Sequence, residues 1–217
     1  MKKRRNILLI GGGGHCRSVI DVIEREGMFR IYGIIDKKSN FGKTVLGYKV
    51  IGTDQDIPIF LKRCANAHVT VGFITDPSKR KALFLQLKDA GAFLPAIISP
   101  HAYVSKHATV GEGSVVMHRA LICAGASVGR NCIINSAALI EHDSVIGDHC
   151  HISTSATVNA DCRIGSSTFI SSHACVNRGI RVGSCVIAGA GCVITKQVKD
   201  NTRVIGVPAR EVKNPKG

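Results

Sequence analysis

The feature that most constrains the fold is a six-residue repeat that begins at Ile98 and continues to Ile194. Every sixth residue in this stretch is Ile or Val, with Ala188 as the one exception among seventeen positions. The residue four places later is nearly always Ala, Ser, Cys or Thr. Neither the two-residue alternation of a strand nor the 3.6-residue period of a helix produces this register. The pattern predicts a parallel β-helix in which each coil contains three short strands.

The same register accounts for many of the cysteines. The chain has nine cysteines and no CxxC pair. Four of them occupy the small-residue position of the repeat, where we expect a tight corner: Cys132, Cys150, Cys162 and Cys192. We interpret them as reduced thiols that serve as small hydrophobic residues, not as metal ligands or disulfides.

Ahead of the repeat, the chain alternates strand-like and helix-like segments. The apolar run NILLI leads into GGGGH and then into a segment with helical spacing of apolar residues. RIYGIID, HVTVGFIT and FLPAII predict further strands, and DIPIFLKRC and DPSKRKALFLQLKDAG predict helices. This order is typical of a small Rossmann-like α/β parallel sheet. We therefore predict an α/β domain over residues 1–97, a β-helix over 98–200 and a C-terminal tail over 201–217.

The charge and the first residues limit the class of protein. The formal net charge is +14, but the 29 Lys and Arg are spread along the chain and no aromatic-rich basic motif accompanies them. This argues against a nucleic-acid partner, whereas nucleotides, coenzyme A or an anionic membrane surface explain the charge equally well. The opening MKKRRNILLIGGGG contains too few consecutive apolar residues to be a signal peptide or a transmembrane segment. We expect a cytoplasmic protein.

The stretch NSAALIEHDSVIGDHCHIS contains two histidines, His142 and His151, and His142 is flanked by Glu141 and Asp143. Three repeats make a coil of 18 residues, so the two histidines lie half a coil apart and one chain does not easily bring them to one metal. A metal held by histidines of neighbouring subunits is one alternative, and a solvated surface histidine is a second. A general base is the third, because imidazole titrates near neutral pH and a neighbouring carboxylate fixes its tautomer.

The glycine loop GGGGHC lacks the third glycine of GxGxxG, because Cys16 stands at that position. It is therefore a weak dinucleotide motif, and hydride transfer is a minor alternative. A glycine loop that opens a helix still presents backbone N–H groups to a phosphate.

Together, the unbroken hexapeptides behind a small α/β domain, the stretch NSAALIEHD and the terminal GVPAR resemble bacterial amino-sugar and sialic-acid acetyltransferases. The resemblance covers residues 5–212. It implies a left-handed β-helix, acetyl-CoA as co-substrate without a metal, and a homotrimer whose active sites lie in clefts between neighbouring β-helices. The implied reaction is acetylation of the amino group of a nucleotide-linked amino sugar in surface-glycan biosynthesis. O-acetylation of a sialic-acid-like sugar and a non-catalytic sugar-nucleotide-binding scaffold remain alternatives.

The resemblance also implies roles for individual residues. His142 would be the general base and Asp143 its partner. The acceptor-binding set would be Gly13, Gly14, His15, Asp36 and Asn135. The set that contacts acetyl-CoA would be His151, Ala160, Ser172, Gly189, Ala190, Gly206 and Pro208, with the last two near the adenine.

Overall fold

The structure, a computed structural model, describes residues 4–212. The chain divides into two compact units, with the boundary between Pro100 and His101. The first is an α/β unit and the second is a β-helix. Within the described residues, no helix has the length and apolar character needed to cross a bilayer.

The α/β unit contains a five-stranded sheet with the strand order β3-β4-β2-β1-β5. Its pairs are parallel, except that β3 runs antiparallel to β4. The elements, in chain order, are β1 Arg5–Ile10, α1 Gly14–Glu26, β2 Phe29–Ile35, β3 Thr44–Val45, β4 Tyr48–Gly52, α2 Ile57–Leu61, β5 Asn66–Val69, α3 Ser78–Asp89 and β6 Ile97–Ile98.

Apolar periodicity explains why these segments fold as they do. Strand β1 is an interior strand of the sheet, between β2 and β5, and its residues Ile7, Leu8, Leu9 and Ile10 are fully buried. Helix α1 buries one apolar face, as its helical spacing predicts. The helix ends at Glu26 and is capped by Gly27, which takes the left-handed conformation with φ of 71° and donates its N–H to the Ile23 carbonyl.

Two predicted strands are shorter than the sequence suggested. Strand β5 ends at Val69, although the apolar run continues. Of the run FLPAII, only Ile97–Ile98 forms a strand. Pro95 interrupts this run because proline has no N–H to donate to a sheet.

The second unit consists of two-residue strands that stack every 18 residues into three parallel sheets. These strands are β7 Tyr103–Val104, β8 Thr109–Val110, β9 Val115–Val116, β10 Leu121–Ile122, β11 Ser127–Val128, β12 Ile133–Ile134, β13 Leu139–Ile140, β14 Val145–Ile146, β15 His151–Ile152, β16 Thr157–Val158, β17 Arg163–Ile164, β18 Phe169–Ile170, β19 Cys175–Val176, β20 Arg181–Val182, β21 Ile187–Ala188 and β22 Val193–Ile194. The chain closes with β23 Arg203–Ile205, which pairs with β21, and β24 Arg210–Val212.

The second residue of each strand points into the interior of the β-helix, which is a three-sided prism. Nearly all of these Ile and Val side chains are buried. The expectation for the small residue needs a correction. Cys132, Cys150 and Ala138 are fully buried inside the coil, but the residue just before each of them makes the corner. Asn131, His149 and Ala137 therefore carry the left-handed backbone, with φ between 54° and 60°.

All nine cysteines are free thiols. Burial raises the pKa of the Cys150 thiol well above its ordinary value, and its Sγ donates to the Gly165 carbonyl at 3.1 Å. Such a thiol stays neutral and packs as a small hydrophobic group.

Candidate active site

His142 lies two residues after the end of strand β13, at a corner of the β-helix. Asp143 has a φ of 60°, so the chain turns there and the two side chains point to the same side. The Nδ1 atom of His142 donates to Oδ2 of Asp143 at 2.8 Å. Both side chains are exposed, by 49% and 62%. The backbone N–H of His142 also donates to Glu141 at 3.3 Å.

This hydrogen bond determines what His142 can do chemically. Because Nδ1 carries the proton that Asp143 accepts, Nε2 of the neutral ring is left as the basic nitrogen and has solvent access. The hydrogen bond that His142 donates to Asp143 is the largest cause of the raised pKa of His142. The arrangement therefore orients the imidazole and makes it a stronger proton acceptor.

A second carboxylate lies at the same corner, one coil further on. The backbone N–H of Asp161 donates to the His142 carbonyl at 3.1 Å. Its Oδ2 accepts from Nε and Nη2 of Arg178, at 2.9 and 2.8 Å. Asp161 also contributes to the raised pKa of His142. The Asp161–Arg178 pair was not predicted from the sequence. The 18-residue spacing between Asp143 and Asp161 does, however, indicate that the two carboxylates stack at one corner.

The three side chains of His142, Asp143 and Asp161 offer ligand atoms within 4.8 Å of one another. Asp143 already accepts from His142, and Asp161 is paired with Arg178. A cation at this point would have to compete with both interactions. Hydrogen bonding and ion pairing therefore account for the cluster.

Asn135 and His151 come together on a different face. Nδ2 of Asn135 lies 3.3 Å from Nε2 of His151, and Oδ1 of Asn135 accepts from the Ser136 N–H at 2.8 Å. His151 is 8% exposed, and its ring lies 5.0 Å from that of Phe169. This network presents the amide N–H to Nε2, which favours the tautomer with its proton on Nδ1.

Four of the residues predicted to contact acetyl-CoA lie at two different corners of one chain. Ala160 stacks on His142, one coil further along. Ser172 and Ala190 lie at another corner, where Oγ of Ser172 is 3.1 Å from Oγ of Ser153. Gly189 lies next to Ala190, and a Cβ there would meet the Ile205 side chain at 2.7 Å.

Gly206 and Pro208 lie in the exposed turn between β23 and β24. The carbonyl of Gly206, where φ is 90°, accepts from the Val193 N–H, and the Val207–Pro208 peptide is cis. Near this turn is a depression of about 450 Å³ whose lining includes Lys196, Lys199 and Arg210. These side chains give the C-terminal end of the β-helix a positive character.

In the α/β unit, the glycine loop joins β1 to the start of α1. A side chain at Gly11 would meet Val71, and one at Gly12 would meet Asp36 at 2.8 Å. In contrast, the positions where Cβ atoms of Gly13 and Gly14 would lie have no neighbour within 4 Å. Packing therefore explains the first two glycines, and the last two leave open space at a helix N-terminus.

Asp36 follows β2 and lies beside this loop at the carboxyl edge of the sheet. Its Oδ1 accepts from the Lys37 N–H and its Oδ2 from Asn40, both at 2.8 Å. It lines an open depression of about 300 Å³ together with Lys37, Lys38 and Thr53. The structure thus brings Gly13, Gly14 and Asp36 to one edge. His15, in the first turn of α1, is partly buried and lies against Gly72.

Another residue at this edge was not found from the sequence. Arg80 of α3 is 1% exposed, and its Nη1 donates to the carbonyls of Val69 and Val71 at 2.7 and 2.8 Å. Fully buried His68 lies nearby, and burial and this guanidinium lower its pKa to about 3. Arg80 therefore tethers the segment against which Gly11 packs.

The comparisons agree with this architecture. The PglD N-terminal domain family matches residues 6–87. PerB from Caulobacter crescentus, in complex with CoA and GDP-perosamine, is 31% identical, with a TM-score of 0.90 over 96% of this chain and 97% of that one. The acetyltransferase domain of PglB from Neisseria gonorrhoeae, in complex with acetyl coenzyme A, is 32% identical, with a TM-score of 0.90 over 97% of this chain and 100% of that one.

The chain belongs to the hexapeptide-repeat amino-sugar acetyltransferases. WeeI from Acinetobacter baumannii, at 21% identity and a TM-score of 0.59 over 96% of this chain and all of that one, supports the fold alone. A comparison with curated proteins gave no significant match. The predicted family, fold class and enzyme class are confirmed for this acetyltransferase.

Proposed function

We propose that this acetyltransferase moves the acetyl group of acetyl-CoA to the amino group of a nucleotide-linked amino sugar, with His142 as general base. The observation that carries the proposal is the 2.8 Å hydrogen bond from Nδ1 of His142 to Asp143, which leaves Nε2 exposed and basic. A scaffold that only binds sugar nucleotides would not need a base oriented in this way.

The chemistry uses one proton acceptor. The sugar amine attacks the thioester carbonyl, and Nε2 of His142 takes the proton that the nitrogen loses as the C–N bond forms. When the tetrahedral intermediate collapses, the C–S bond breaks and the coenzyme A thiolate leaves. The imidazolium returns its proton to that sulfur, so the base is regenerated. Asp143 stabilises the imidazolium between the two transfers.

The acceptor would bind through the α/β unit. Gly13 and Gly14 leave room for a phosphate beside the N–H groups at the start of α1, and Asp36 supplies a hydrogen-bond acceptor next to them. Lys37 and Lys38 add positive charge to the same depression. That PerB is crystallised with GDP-perosamine supports a nucleotide-linked sugar as the ligand class. His15 and Asn135 complete the proposed acceptor set.

The donor would bind along the β-helix. The two corners that carry Ala160 and Ser172 are separate on one chain, so one coenzyme molecule would contact both groups only if neighbouring copies pack side by side. This favours a homotrimer with its sites in the clefts, in which His151 lies near the thioester. The basic depression near Gly206 and Pro208 suits the phosphates and adenine of the coenzyme.

The setting that we propose is cytoplasmic biosynthesis of a surface glycan. The nine free thiols support a reducing compartment. An acetylated nucleotide sugar is an activated building block, so the product would be consumed by a glycosyl-transfer reaction.

The test is a panel of UDP-, GDP- and dTDP-linked amino sugars and free sialic acids, each incubated with acetyl-CoA while thiol release is followed. We expect release with a nucleotide amino sugar, and an amide in the product by mass spectrometry and NMR. Acetylation only of a sialic-acid hydroxyl would replace the N-acetyl proposal with the O-acetyl one. No thiol release with any acceptor would contradict both.

The role of His142 is tested with acetyl-CoA and the acceptor that gives thiol release in this panel. His142→Ala should lower turnover roughly 10²–10⁴-fold, which is the usual contribution of a general base. The matched control is His107→Ala, which removes an exposed histidine two coils earlier at the same corner. Equal activity of the two variants in the folded protein would reject His142 as the base.

A further inference from the structure

Four arginines lie together at the amino edge of the sheet in the α/β unit, the edge opposite the glycine loop. Arg4 and Arg5 lie at the start of β1, Arg30 begins β2 after Phe29, and Arg63 lies just before β5. All four are exposed, and they line one open depression of about 650 Å³. Among residues 4–212, none of the four forms an ion pair.

Two acidic groups near this edge offset part of the charge. Glu24 and Glu26 lie at the end of α1. Glu24 accepts a hydrogen bond from the Tyr48 hydroxyl at 2.9 Å, and Glu26, whose pKa burial raises, interacts electrostatically with Arg5. In the sequence, Lys2 and Lys3 precede the arginines, although they lie outside the described residues. Four arginines against two carboxylates leave the described part of this edge with a net positive charge.

Two large apolar side chains protrude beside the arginines. Met28 is 54% exposed, and its carbonyl accepts from the Arg5 N–H. Phe93 is 57% exposed and is held next to the depression by a hydrogen bond from its N–H to the carbonyl of Ala65, one of the lining residues. Exposed arginines with protruding apolar side chains are the combination that binds the polar–apolar boundary of an anionic bilayer.

We propose that the amino edge of the α/β unit docks on an anionic phospholipid surface. The guanidinium groups of Arg4, Arg5, Arg30 and Arg63 would contact lipid phosphates, for which their planar donor geometry is suited. Met28 and Phe93 would enter the boundary between headgroups and acyl chains. The glycine loop lies at the other end of strands of six or seven residues, about 20 Å away, so it faces away from the membrane.

The experiment is cosedimentation of the full chain with vesicles of phosphatidylcholine alone or mixed with phosphatidylglycerol. We expect binding only to the mixed vesicles, and loss of that binding at high salt, because added salt screens exposed charges. Arg30→Ala/Arg63→Ala should weaken the partition coefficient about 30-fold, since each arginine near such a surface contributes about fivefold. Phe93→Ser should also weaken it, although it leaves the charge unchanged.

The matched control is Lys79→Ala/Lys81→Ala, which removes two exposed positive charges from the start of α3. We expect it to bind vesicles like the wild type, and all variants to keep acetyltransferase turnover. Equal loss in the control, or equal binding to both kinds of vesicle, would overturn docking through this edge. Saturable binding of inorganic tripolyphosphate that depends on Arg30 and Arg63, without vesicle binding, would replace it with a soluble-anion site.

Discussion

Gly125 offers a way to test the Asp143–His142 pair without changing either residue. It lies one coil before Asp143 at the same corner and has a left-handed φ of 74°. A Cβ built on Gly125 would overlap Oδ1 of Asp143 and lie 3.3 Å from its Cγ. Gly125→Ala should therefore push the Asp143 carboxylate away from Nδ1 of His142.

The expected cost in stability is small and the expected cost in activity is large. Alanine in a left-handed conformation costs about 1–2 kcal/mol, partly offset by about 0.4–1 kcal/mol from the stiffer unfolded chain. The atom that clashes is the end of a side chain that is 62% exposed, so Asp143 swings into solvent instead of unfolding the corner. Turnover should fall at least tenfold, but by less than the roughly 10²–10⁴-fold expected for loss of the base.

Gly179→Ala is the matched control. Gly179 lies at the same corner three coils after Gly125, has a φ of 72°, and a Cβ there has no neighbour within 4 Å. Both variants should lose about 1 kcal/mol by chemical denaturation, since both place alanine in the left-handed region. Only Gly125→Ala should lose turnover. If the two variants have equal turnover, displacement of the carboxylate has no catalytic consequence and the positioning role of Asp143 is refuted.

The pH profile gives a second measure of Gly125→Ala. The hydrogen bond that His142 donates to Asp143 raises the pKa of His142, so loss of this bond should lower that pKa. The base works in its neutral form, which then appears at lower pH. The acid limb of kcat/KM should move to lower pH while the plateau falls.

Three further predictions test other parts of the molecule. Arg178→Ala should move the acid limb of kcat/KM to higher pH, because Asp161 loses its compensating charge and raises the pKa of His142 further. This shift in pH should be smaller at high salt. Ile146→Ala should lower the free energy of unfolding by about 2–5 kcal/mol, since Ile146 is 1% exposed, and unchanged denaturation would refute its interior position. Asp36→Ala should raise only the KM for the acceptor, and His151→Ala should raise only the KM for acetyl-CoA. The reverse pattern would exchange the roles of the two units.

The repeat could be predicted from the sequence because the prism imposes a strict period. Each inward residue, such as Ile134 or Ile152, stacks on an equivalent residue 18 positions away, so a one-residue slip of β15 would turn His151 into the interior. The βαβ order was visible for a similar reason, since Ile7–Ile10 is apolar throughout, as a central parallel strand requires. The partner of His142 was also predictable because Asp143 is its neighbour in sequence.

The corner chemistry could not be predicted in the same way. We assigned the tight corner to the small residue, but that residue is selected for burial. The left-handed residue before it is Asn131, Ala137, His149 or Cys185, among others, so composition gives little signal. The contacts of Gly11 with Val71 and of Arg80 with the end of β5 depend on packing between distant segments, which a local pattern does not contain.

The corner conformation also shows what does not mark the site. Asp143 has a strained left-handed backbone, and such strain often accompanies function. Here, however, the corners at Ala137, Ser155 and Ser167 have the same φ within a few degrees, so the left-handed backbone is a general feature of the β-helix corners. What distinguishes the Asp143 corner is its chemistry: a carboxylate hydrogen-bonded to a histidine, a second carboxylate at Asp161, and a glycine on either side of these two levels, Gly125 and Gly179. The β-helix supplies equivalent corners at every coil, and the side chains placed on one of them make it a site.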